Sequence, residues 1–374
     1  MINKKRLLNT FLDLIKIDSS SLHERNIVVN VKERLLKMGL RVSEDSSWKK
    51  IGGEAGNIWA MIKGNVKGAP RILLNAHLDT VSPCKGLRTR IRNGYVYSDG
   101  TTILGADNKA GVAVILEAIK ALKESRIPHG EIKILFTVAE EIGLCGAQFL
   151  PKEALDADMG FTLDGGDVDK IIDQAPSQDT IEARIIGKAA HAGVRPEVGI
   201  NAIKVASEAI AKMRLGRIDR ETTSNIGVIK GGTATNIVPE KVIIKGEARS
   251  HDPKKLKAQV AHMKKCLSAA CKKHKAQLKI RVFRAYNAFK IKRGHPAIGL
   301  AEDALRSLGI KPVVKMTGGG SDANIFNSRS LSTIILGAGA DSVHTSKERL
   351  SIRQMGMSAL MVLEIIKGAA HGKK

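Results

Sequence analysis

Acidic and imidazole side chains recur along this sequence, each beside an apolar run or a glycine-rich turn. They are His77, Asp79, Asp107, Glu140, Glu141, Asp164 and His344. Imidazole nitrogens and carboxylate oxygens are ligands that zinc takes in catalytic sites, and a spare carboxylate can serve as a base. The set is therefore sufficient for a hydrolytic centre with two metal ions.

The residue types also indicate how the ligands divide between the two metals. A carboxylate has two oxygens, so Asp107 could bridge cations separated by about 3.5–4 Å. We expect His77 and Asp164 to bind one metal. Glu141 and His344 would bind the other, which leaves room for a bridging water.

The remaining carboxylates have different roles in this hypothesis. Adjacent carboxylates in a closed pocket raise one another's pKa, and a metal bound by Glu141 would relieve that repulsion. Glu140 would then accept a proton from metal-bound water as the general base. Asp79 stands two residues after His77 on an extended segment, so it could hold the imidazole from behind.

Each residue taken singly has a simpler structural interpretation. His77 could be a buried histidine hydrogen-bonded at a strand end, and Asp107 could be a helix N-cap. The pair Glu140–Glu141 could be an exposed acidic turn. The metal hypothesis depends on all of these residues together, because each follows a strand-like run or a glycine-rich turn.

Apolar periodicity predicts the elements that position these residues. The runs at 71–76 and 132–138 are short and almost continuously apolar, which is typical of strands covered on both faces. Helical periodicity at 4–17, 24–38 and 112–122 alternates with such strands. This order predicts an α/β fold with a mostly parallel sheet covered by helices, in which ligands bind at the carboxyl ends of strands.

The pattern changes near residue 177 and returns near residue 289. The intervening order β-α-β-β-α-β predicts an inserted ferredoxin-like α/β sandwich. Its strands are predicted at 180–187, 225–229, 241–248 and 279–282, and its helices at 201–214 and 253–274. We therefore expect a catalytic domain formed by residues 1–177 and 289–374, interrupted by a second domain at 178–288.

The charge of the chain allows two interpretations. Its 374 residues, long enough for two domains, carry a net charge of +24. A polyanion-binding protein without enzymatic activity is one possibility. We favour a solvated surface, with no nucleic-acid or membrane partner, because lysine and arginine are spread along the chain without aromatic-basic RNA motifs.

The cysteines and the apolar runs indicate a cytoplasmic location. No CxxC pair occurs among Cys84, Cys145, Cys266 and Cys271, and their low number fits a reducing compartment. Asp13 and Lys16 interrupt the apolar residues near the amino end, which predicts an amphipathic helix rather than an export signal. No run of eighteen apolar residues occurs, so a membrane-spanning helix is not expected.

Taken in order, the candidate residues resemble a known family. The matching segments are NAHLDT at 75–80, GADNKAG at 105–111, EEIG at 140–143, DGG at 164–166 and VHT at 343–345. They resemble the di-zinc exopeptidases and deacylases, which include peptidase T-like tripeptidases, glutamate carboxypeptidases, succinyl-diaminopimelate desuccinylases and aminoacylases. EEIG and the GGSDA loop at 319–323 are most similar to the peptidase T-like branch.

The resemblance implies a reaction, a cofactor and an assembly. The reaction is hydrolysis of peptide bonds in short peptides, as in tripeptidases or aminopeptidases, by a zinc-activated bridging water with Glu140 as the base. The cofactor is two divalent metal ions, expected to be zinc, with cobalt or manganese as alternatives. A short peptide is the expected substrate and a homodimer the expected assembly. An N-acyl amino acid deacylase or a carboxypeptidase is the alternative function.

The resemblance also implies a lid and dimerisation role for the inserted domain. His191, in KAAHAG, is similar to the family's lid histidine, which stabilises the tetrahedral oxyanion, often in the partner subunit. Asn236 and Arg249 are expected to hold substrate, with Arg249 suited to a carboxylate. The loop with Gly319 and Ser321 would let substrate approach the backbone closely.

One position departs from the common pattern of the family. Asn108 stands where many relatives carry a second aspartate. The family often has a cis peptide bond after the bridging aspartate. The resemblance therefore predicts a cis bond between Asp107 and Asn108.

Overall fold

The computed structural model describes residues 1–371, which form two compact units. The first unit comprises Met1–Gln174, Lys290–Met316 and the chain from Ser321 onward. The second comprises Ala175–Phe289 and Thr317–Gly320. Residues 372–374, which the expected catalytic domain includes, lie outside the described residues. The chain thus leaves the first unit after Gln174 and returns to it at Lys290.

Helices and strands alternate along the first part of the chain. The strands are β1 (Val42–Glu44), β2 (Ile58–Ile62), β3 (Ile72–His77), β4 (Thr89–Arg92), β5 (Tyr95–Ser98), β6 (Ile132–Thr137), β7 (Met159–Gly165) and β8 (Lys170–Ala175). The helices are α1 (Lys4–Ile15), α2 (Arg25–Lys37), α3 (Ser47–Ile51), α4 (Ala106–Ser125) and α5 (Cys145–Gln148), with a 3₁₀ turn at Lys152–Leu155.

The second unit is an antiparallel sheet packed on two helices. Its strands are β9 (Ser177–Ile186), β10 (Gly216–Arg217), β11 (Thr222–Gly231), β12 (Lys241–Ser250) and β13 (Gln277–Tyr286). Its helices are α6 (Ala202–Ala211) and α7 (Pro253–Lys273), with a 3₁₀ turn at Pro196–Val198. The strand order is β10-β11-β12-β9-β13. Alternate residues of β9 and β12 are buried against these helices, as expected for a sheet with one covered face.

The last part of the chain completes the first unit. The strands are β14 (Phe289–Lys290), β15 (Val313–Met316), β16 (Thr333–Gly337), β17 (Ala340–Asp341) and β18 (Arg349–Ser351). The helices are α8 (Pro296–Ser307), α9 (Asp322–Ser328) and α10 (Ile352–Ala370). Within residues 1–371, no helix is both long and apolar enough to cross a membrane.

The central sheet of the first unit has a parallel centre and mixed edges. Its order is β1-β2-β6-β3-β7-β16-β8-β14, with β15 paired to β8. The pairs β6–β3, β3–β7 and β7–β16 are parallel, whereas β1–β2, β2–β6 and β16–β8 are antiparallel. Every residue of β3 and β6 is buried, so both faces are covered at the centre. These features confirm the predicted α/β fold.

Two local features were not predicted from periodicity. Strands β17, β18, β5 and β4 form a small antiparallel sheet, and every residue of β4 is exposed, so no apolar alternation marks it. Helix α4 begins at Ala106, six residues before the predicted start at 112. Its first turn contains non-helical φ/ψ angles at Asp107 and Asn108, and helical periodicity gives no sign of such a start.

A buried carboxylate ties α1 to α4. The side chain of Glu117 on α4 is 2% exposed and accepts hydrogen bonds from Arg6 Nε at 2.6 Å and Arg6 Nη2 at 2.9 Å. The backbone N–H of Asn3 also donates to Glu117, at 2.7 Å. Arg6 makes a second ion pair with Glu124, whose side chain is 43% exposed. Burial of the first pair should make it the stronger of the two.

We expect Glu117→Gln to lower the free energy of unfolding by about 1–3 kcal/mol, because it weakens charged hydrogen bonds at a buried position. Glu124→Gln is the matched control, since it removes the exposed partner of the same arginine and should cost less than about 1 kcal/mol. Urea unfolding followed by circular dichroism measures both. Equal losses in the two variants would contradict the assignment.

Candidate metal centre

Neighbouring parallel strands bring predicted ligands to one edge of the central sheet. His77 is the last residue of β3, which lies between β6 and β7. Asn75 pairs with Thr162, so His77 and Asp164 each stand two residues further along their strands. Glu140 follows the end of β6 by three residues. Because parallel strands end at the same edge, residues far apart in the chain meet there.

The buried His77 ring has carboxylates near both of its nitrogens. Nδ1 lies 3.0 Å from the backbone oxygen of Asp79 and 3.4 Å from its Oδ1. Nε2 lies 3.1 Å from Asp107 Oδ1 and 3.4 Å from Asp164 Oδ1. A proton on Nδ1 that is donated to Asp79 would leave the Nε2 lone pair facing the other carboxylates, as a metal ligand requires.

Asp107 stands between two groups of donors. Its Oδ1 faces His77, whereas its Oδ2 lies 3.2 Å from His344 Nε2. The same nitrogen of His344 is 3.0 Å from Glu141 Oε1. Ligand atoms of His77, Asp107 and Glu141 all lie within 4.8 Å of one another. Each oxygen of one carboxylate therefore faces a different histidine, as a bridging ligand would.

Asn108 donates a hydrogen bond that an ionised aspartate could not donate. Its Nδ2 donates to Asp164 Oδ1 at 3.1 Å, and its Oδ1 accepts from the backbone N–H of Gly111 at 3.2 Å. The peptide bond between Asp107 and Asn108 is cis, as predicted. The asparagine amide thus supports Asp164 where a second carboxylate would repel it.

Asp79 orients the Glu140–Glu141 segment as well as His77. Its Oδ1 accepts from the backbone N–H of Glu140 at 3.0 Å, and its Oδ2 accepts from that of Glu141 at 3.1 Å. Ser21 Oγ also donates to Asp79, at 2.7 Å. Charge-assisted bonds to backbone amides define the direction of the chain at this turn. Asp79 consequently links the end of β3 to the residues after β6.

The pKa values of the carboxylates shift in opposite directions, because burial and mutual repulsion raise them and hydrogen bonds from histidines lower them. Burial raises the pKa of Glu140 well above its usual value, raises that of Glu141, and raises that of Asp164 to about 7. Burial acts the same way on Asp107, but hydrogen bonds from His344 and His77 outweigh it and lower the pKa of that carboxyl.

The histidines respond to the same charges. Hydrogen bonds to Asp107 and Glu141 raise the pKa of His344 to about 10. Burial disfavours a charged His77 ring, but Glu140 and the other nearby carboxylates outweigh it and raise the pKa of His77 well above its usual value. The negative charge of the neighbouring carboxylates therefore favours the protonated, positively charged form of both imidazoles.

The donor set fits divalent metal ions. Imidazole nitrogens and carboxylate oxygens suit zinc, cobalt and manganese, and a cation would replace the protons that the crowded carboxylates attract. The residues that would hold the metals are His77, Asp107, Glu141, Asp164 and His344.

In the second unit, His191 is exposed and has one ring nitrogen engaged. Its Nδ1 accepts hydrogen bonds from the backbone N–H groups of Gly193 at 3.1 Å and Val194 at 3.2 Å. A neutral ring with Nδ1 as acceptor carries its proton on Nε2. The backbone also pairs His191 with Ile237. These contacts define the tautomer of the neutral ring, in which Nε2–H is the donor.

The other predicted substrate contacts lie in different local settings. Asn236 is exposed, and its backbone oxygen accepts from Ala192. Arg249 donates from Nε and Nη2 to the two carboxylate oxygens of Glu247 at 2.8 and 3.1 Å. The N–H of Gly319 donates to Thr317 Oγ1 at 3.2 Å.

Ser321 belongs to the first unit and is a helix cap. Its buried hydroxyl accepts from the backbone N–H of Ala323 at 3.3 Å, and the N–H of Ser321 donates to Asn324 Oδ1 at 3.1 Å. The Ser321 side chain also accepts from the backbone N–H of Asn324, which with the Asn324 bond completes a capping box at the start of α9. The serine side chain is thus occupied in stabilising the helix.

Sequence reasoning missed buried carboxylates that adjoin the centre. Glu348 accepts from the backbone N–H of Asp107, and Asp322 accepts from Thr137 Oγ1 at the end of β6. Glu348 lies in a Ser-Lys-Glu-Arg run that is typical of a solvated surface, so its burial has no local signal. Asp322 follows the glycine-rich loop, and that context was the only available indication.

Comparison with known proteins agrees with this geometry. The family model described as Peptidase family M20/M25/M40 matches residues 73–368. The uncharacterized protein YqjE of Bacillus subtilis (strain 168) is 44% identical over 99% of this chain and 100% of its own.

Two solved structures have the same fold over the whole chain. One is a tripeptidase from Staphylococcus aureus subsp. aureus Mu50, with 42% identity, a TM-score of 0.91 and full coverage of both chains. Another is aminopeptidase PepT from Bacillus cereus ATCC 10987, with 41% identity, a TM-score of 0.84, and coverage of 99% of this chain and 100% of that one. These matches confirm the resemblance seen in the motifs, and the chain belongs to peptidase family M20/M25/M40.

Proposed function

We propose that this chain is a metallo-exopeptidase that hydrolyses peptide bonds in short peptides at a centre with two divalent metals. The observation that carries the proposal is the position of Asp107, whose two carboxylate oxygens face His77 and His344 separately. Similarity to a tripeptidase and to an aminopeptidase supports the substrate class. Zinc is the metal we propose, with cobalt or manganese as alternatives, because nitrogen and oxygen donors suit all three.

The proposed catalytic roles follow from the chemistry of each side chain. Divalent metals at the site would polarise the substrate carbonyl and lower the pKa of water. Glu140 takes the proton of the attacking water and transfers it to the leaving amine. Burial raises the pKa of Glu140, which favours holding that proton between the two transfers. Asp79 binds both the His77 ring and the backbone N–H of Glu140, and so fixes the position of one relative to the other.

The second unit would supply residues that bind the substrate. We propose a lid and dimerisation role for it, in which His191 donates from Nε2 to the oxyanion of the tetrahedral intermediate. Asn236 and Gly319 of this unit are proposed to contact the peptide. Ser321, which belongs to the first unit, is also proposed to contact it and is limited to backbone contacts by its capping role. Arg249 would share its guanidinium between Glu247 and a substrate carboxylate.

We also propose a homodimer in the cytoplasm, without a nucleic-acid or membrane partner. The low number of cysteines and their sequence spacing support the compartment. An N-acyl amino acid deacylase or a carboxypeptidase of the same family is the alternative activity, and substrate preference distinguishes them.

Removing the metal should abolish hydrolysis of tripeptides, and added zinc, cobalt or manganese should restore it. The measurement is release of free amino acids from tripeptides, dipeptides and N-acyl amino acids, before and after dialysis against a chelator. We expect tripeptides to be cleaved fastest, from the amino end. Faster cleavage of N-acyl amino acids would favour the deacylase, and unchanged activity after complete metal removal would refute the proposal.

Glu140→Gln should keep metal and fold but lower kcat by about 10²–10⁴, because the amide cannot accept the proton. Metal content by mass spectrometry and circular dichroism report on metal and fold. Glu153→Gln, at an exposed glutamate, is the control and should retain full activity. Turnover at the unmodified rate in Glu140→Gln would show that another group is the base.

A mixing experiment tests whether His191 acts in the partner subunit. Glu140→Gln and His191→Ala should each be nearly inactive alone. If His191 crosses to the partner, mixed dimers contain one complete site, and an equimolar mixture should recover about a quarter of the unmodified activity. Activity that stays at the level of the separate variants, despite proven subunit exchange, would place His191 in the site of its own chain.

A further inference from the structure

Glu348 is a buried carboxylate that contacts the segment carrying Asp107. The residue is 1% exposed and stands four positions after His344. Its Oε2 accepts from the backbone N–H groups of Leu104 and Gly105, each at 2.8 Å. Its Oε1 accepts from the backbone N–H of Asp107 at 3.0 Å. One carboxylate thus binds amides on both sides of Ala106.

The amides held by Glu348 lie at the start of α4, where the chain has no regular hydrogen-bond partners. The first N–H groups of a helix lack intrahelical acceptors and favour a negative charge. Gly105 has a φ of 74° and no side chain that could cap the helix. Asp107 is not helical in φ/ψ, so the helical hydrogen-bond ladder does not define its position. Glu348 supplies the missing acceptors.

The same side chain connects two of the proposed metal ligands. Glu348 lies at the end of the turn that carries His344, and its own N–H donates to Thr345 O at 3.1 Å. Its carboxylate holds the backbone N–H of Asp107, and Asp107 Oδ2 lies 3.2 Å from His344 Nε2. Glu348 therefore contacts the backbone of one ligand and belongs to the turn of the other.

The negative charge of Glu348 is met by backbone amides rather than by a cation. Within residues 1–371, no lysine, arginine or histidine lies within 4.0 Å of its carboxylate oxygens. The nearby Lys109 donates to the backbone oxygen of Ile17 at 2.6 Å instead. A glutamine at 348 would turn one acceptor into a donor and direct its NH₂ at a backbone N–H.

We propose that Glu348 is a positioning residue for the metal centre, which sets the spacing between Asp107 and His344 and thereby the affinity for metal. This inference rests on the proposed metal-dependent function. Groups that orient metal ligands from behind commonly contribute 10- to 100-fold to affinity. Glu348 positions Asp107 through the backbone N–H of that residue, and it positions His344 through the turn that both residues share.

The test compares metal binding by the full-length chain and its variants, measured with zinc or cobalt ions alone. We expect Glu348→Gln to bind about 10- to 100-fold more weakly and to change the visible spectrum of the cobalt-loaded protein. Excess metal should recover much of kcat in that variant. Glu117→Gln is the matched control, because Glu117 is a buried carboxylate on α4 that contacts Arg6 instead of the ligand segment.

Each outcome decides between the hypotheses. If the unmodified chain binds no metal, the proposed function is wrong. If it binds metal and Glu348→Gln has the same affinity and spectrum, the inference about Glu348 is wrong. Equal weakening in Glu348→Gln and Glu117→Gln would assign the effect to α4 stability and overturn the positioning role. Should Glu348→Gln not fold, Glu348→Asp keeps the charge with a shorter reach and should still weaken binding.

Discussion

The burial of several carboxylates beside one another is the constraint on which the rest of this structure depends. Asp107, Glu140, Glu141 and Asp164 meet at the carboxyl edge of the central sheet. Burial raises the pKa of each, and only at Asp107 do hydrogen bonds from histidines outweigh that effect. Such a cluster is costly unless positive charge is bound. The raised pKa values of His77 and His344 favour protonated imidazoles, which supply part of that positive charge.

A second set of groups holds these carboxylates in place without facing the centre. Asp79 accepts backbone N–H groups from Glu140 and Glu141, and Glu348 accepts those of Leu104, Gly105 and Asp107. Both are buried carboxylates that bind amides at irregular backbone. Asp107 and Glu141 stand where no regular helix or strand ladder defines the chain, so side chains must define it.

The second unit follows a simpler physical rule. Its strands alternate buried and exposed residues, and the buried ones pack on α6 and α7. His191 is exposed and precedes a turn, where two backbone N–H groups donate to its Nδ1 and so define the tautomer of the neutral ring. That contact cannot be anticipated from the KAAHAG motif, because it depends on the turn that follows. In β12, the side chain of Arg249 donates to that of Glu247, two residues earlier on the same strand.

The sequence predicts buried strands more accurately than it predicts exposed strands or the contacts of single side chains. Runs such as 71–76 and 132–138 predicted β3 and β6 to within one residue, since continuous burial leaves a strong apolar signal. The small sheet with β4 and β5 was missed, because the residues of β4 are exposed and carry no such signal. The capping role of Ser321 was also missed, since a serine after glycines is compatible with either a loop or a cap.

By itself the sequence determined the fold class, the order of the elements and the residue types available for metal binding, because periodicity and side-chain chemistry are local properties. Only the tertiary structure decided that the two oxygens of Asp107 face different histidines and that Glu348 is buried behind them. Asp107 and Glu348, for example, are 241 positions apart in the chain. Such contacts arise from how strands and turns pack, which no local pattern encodes.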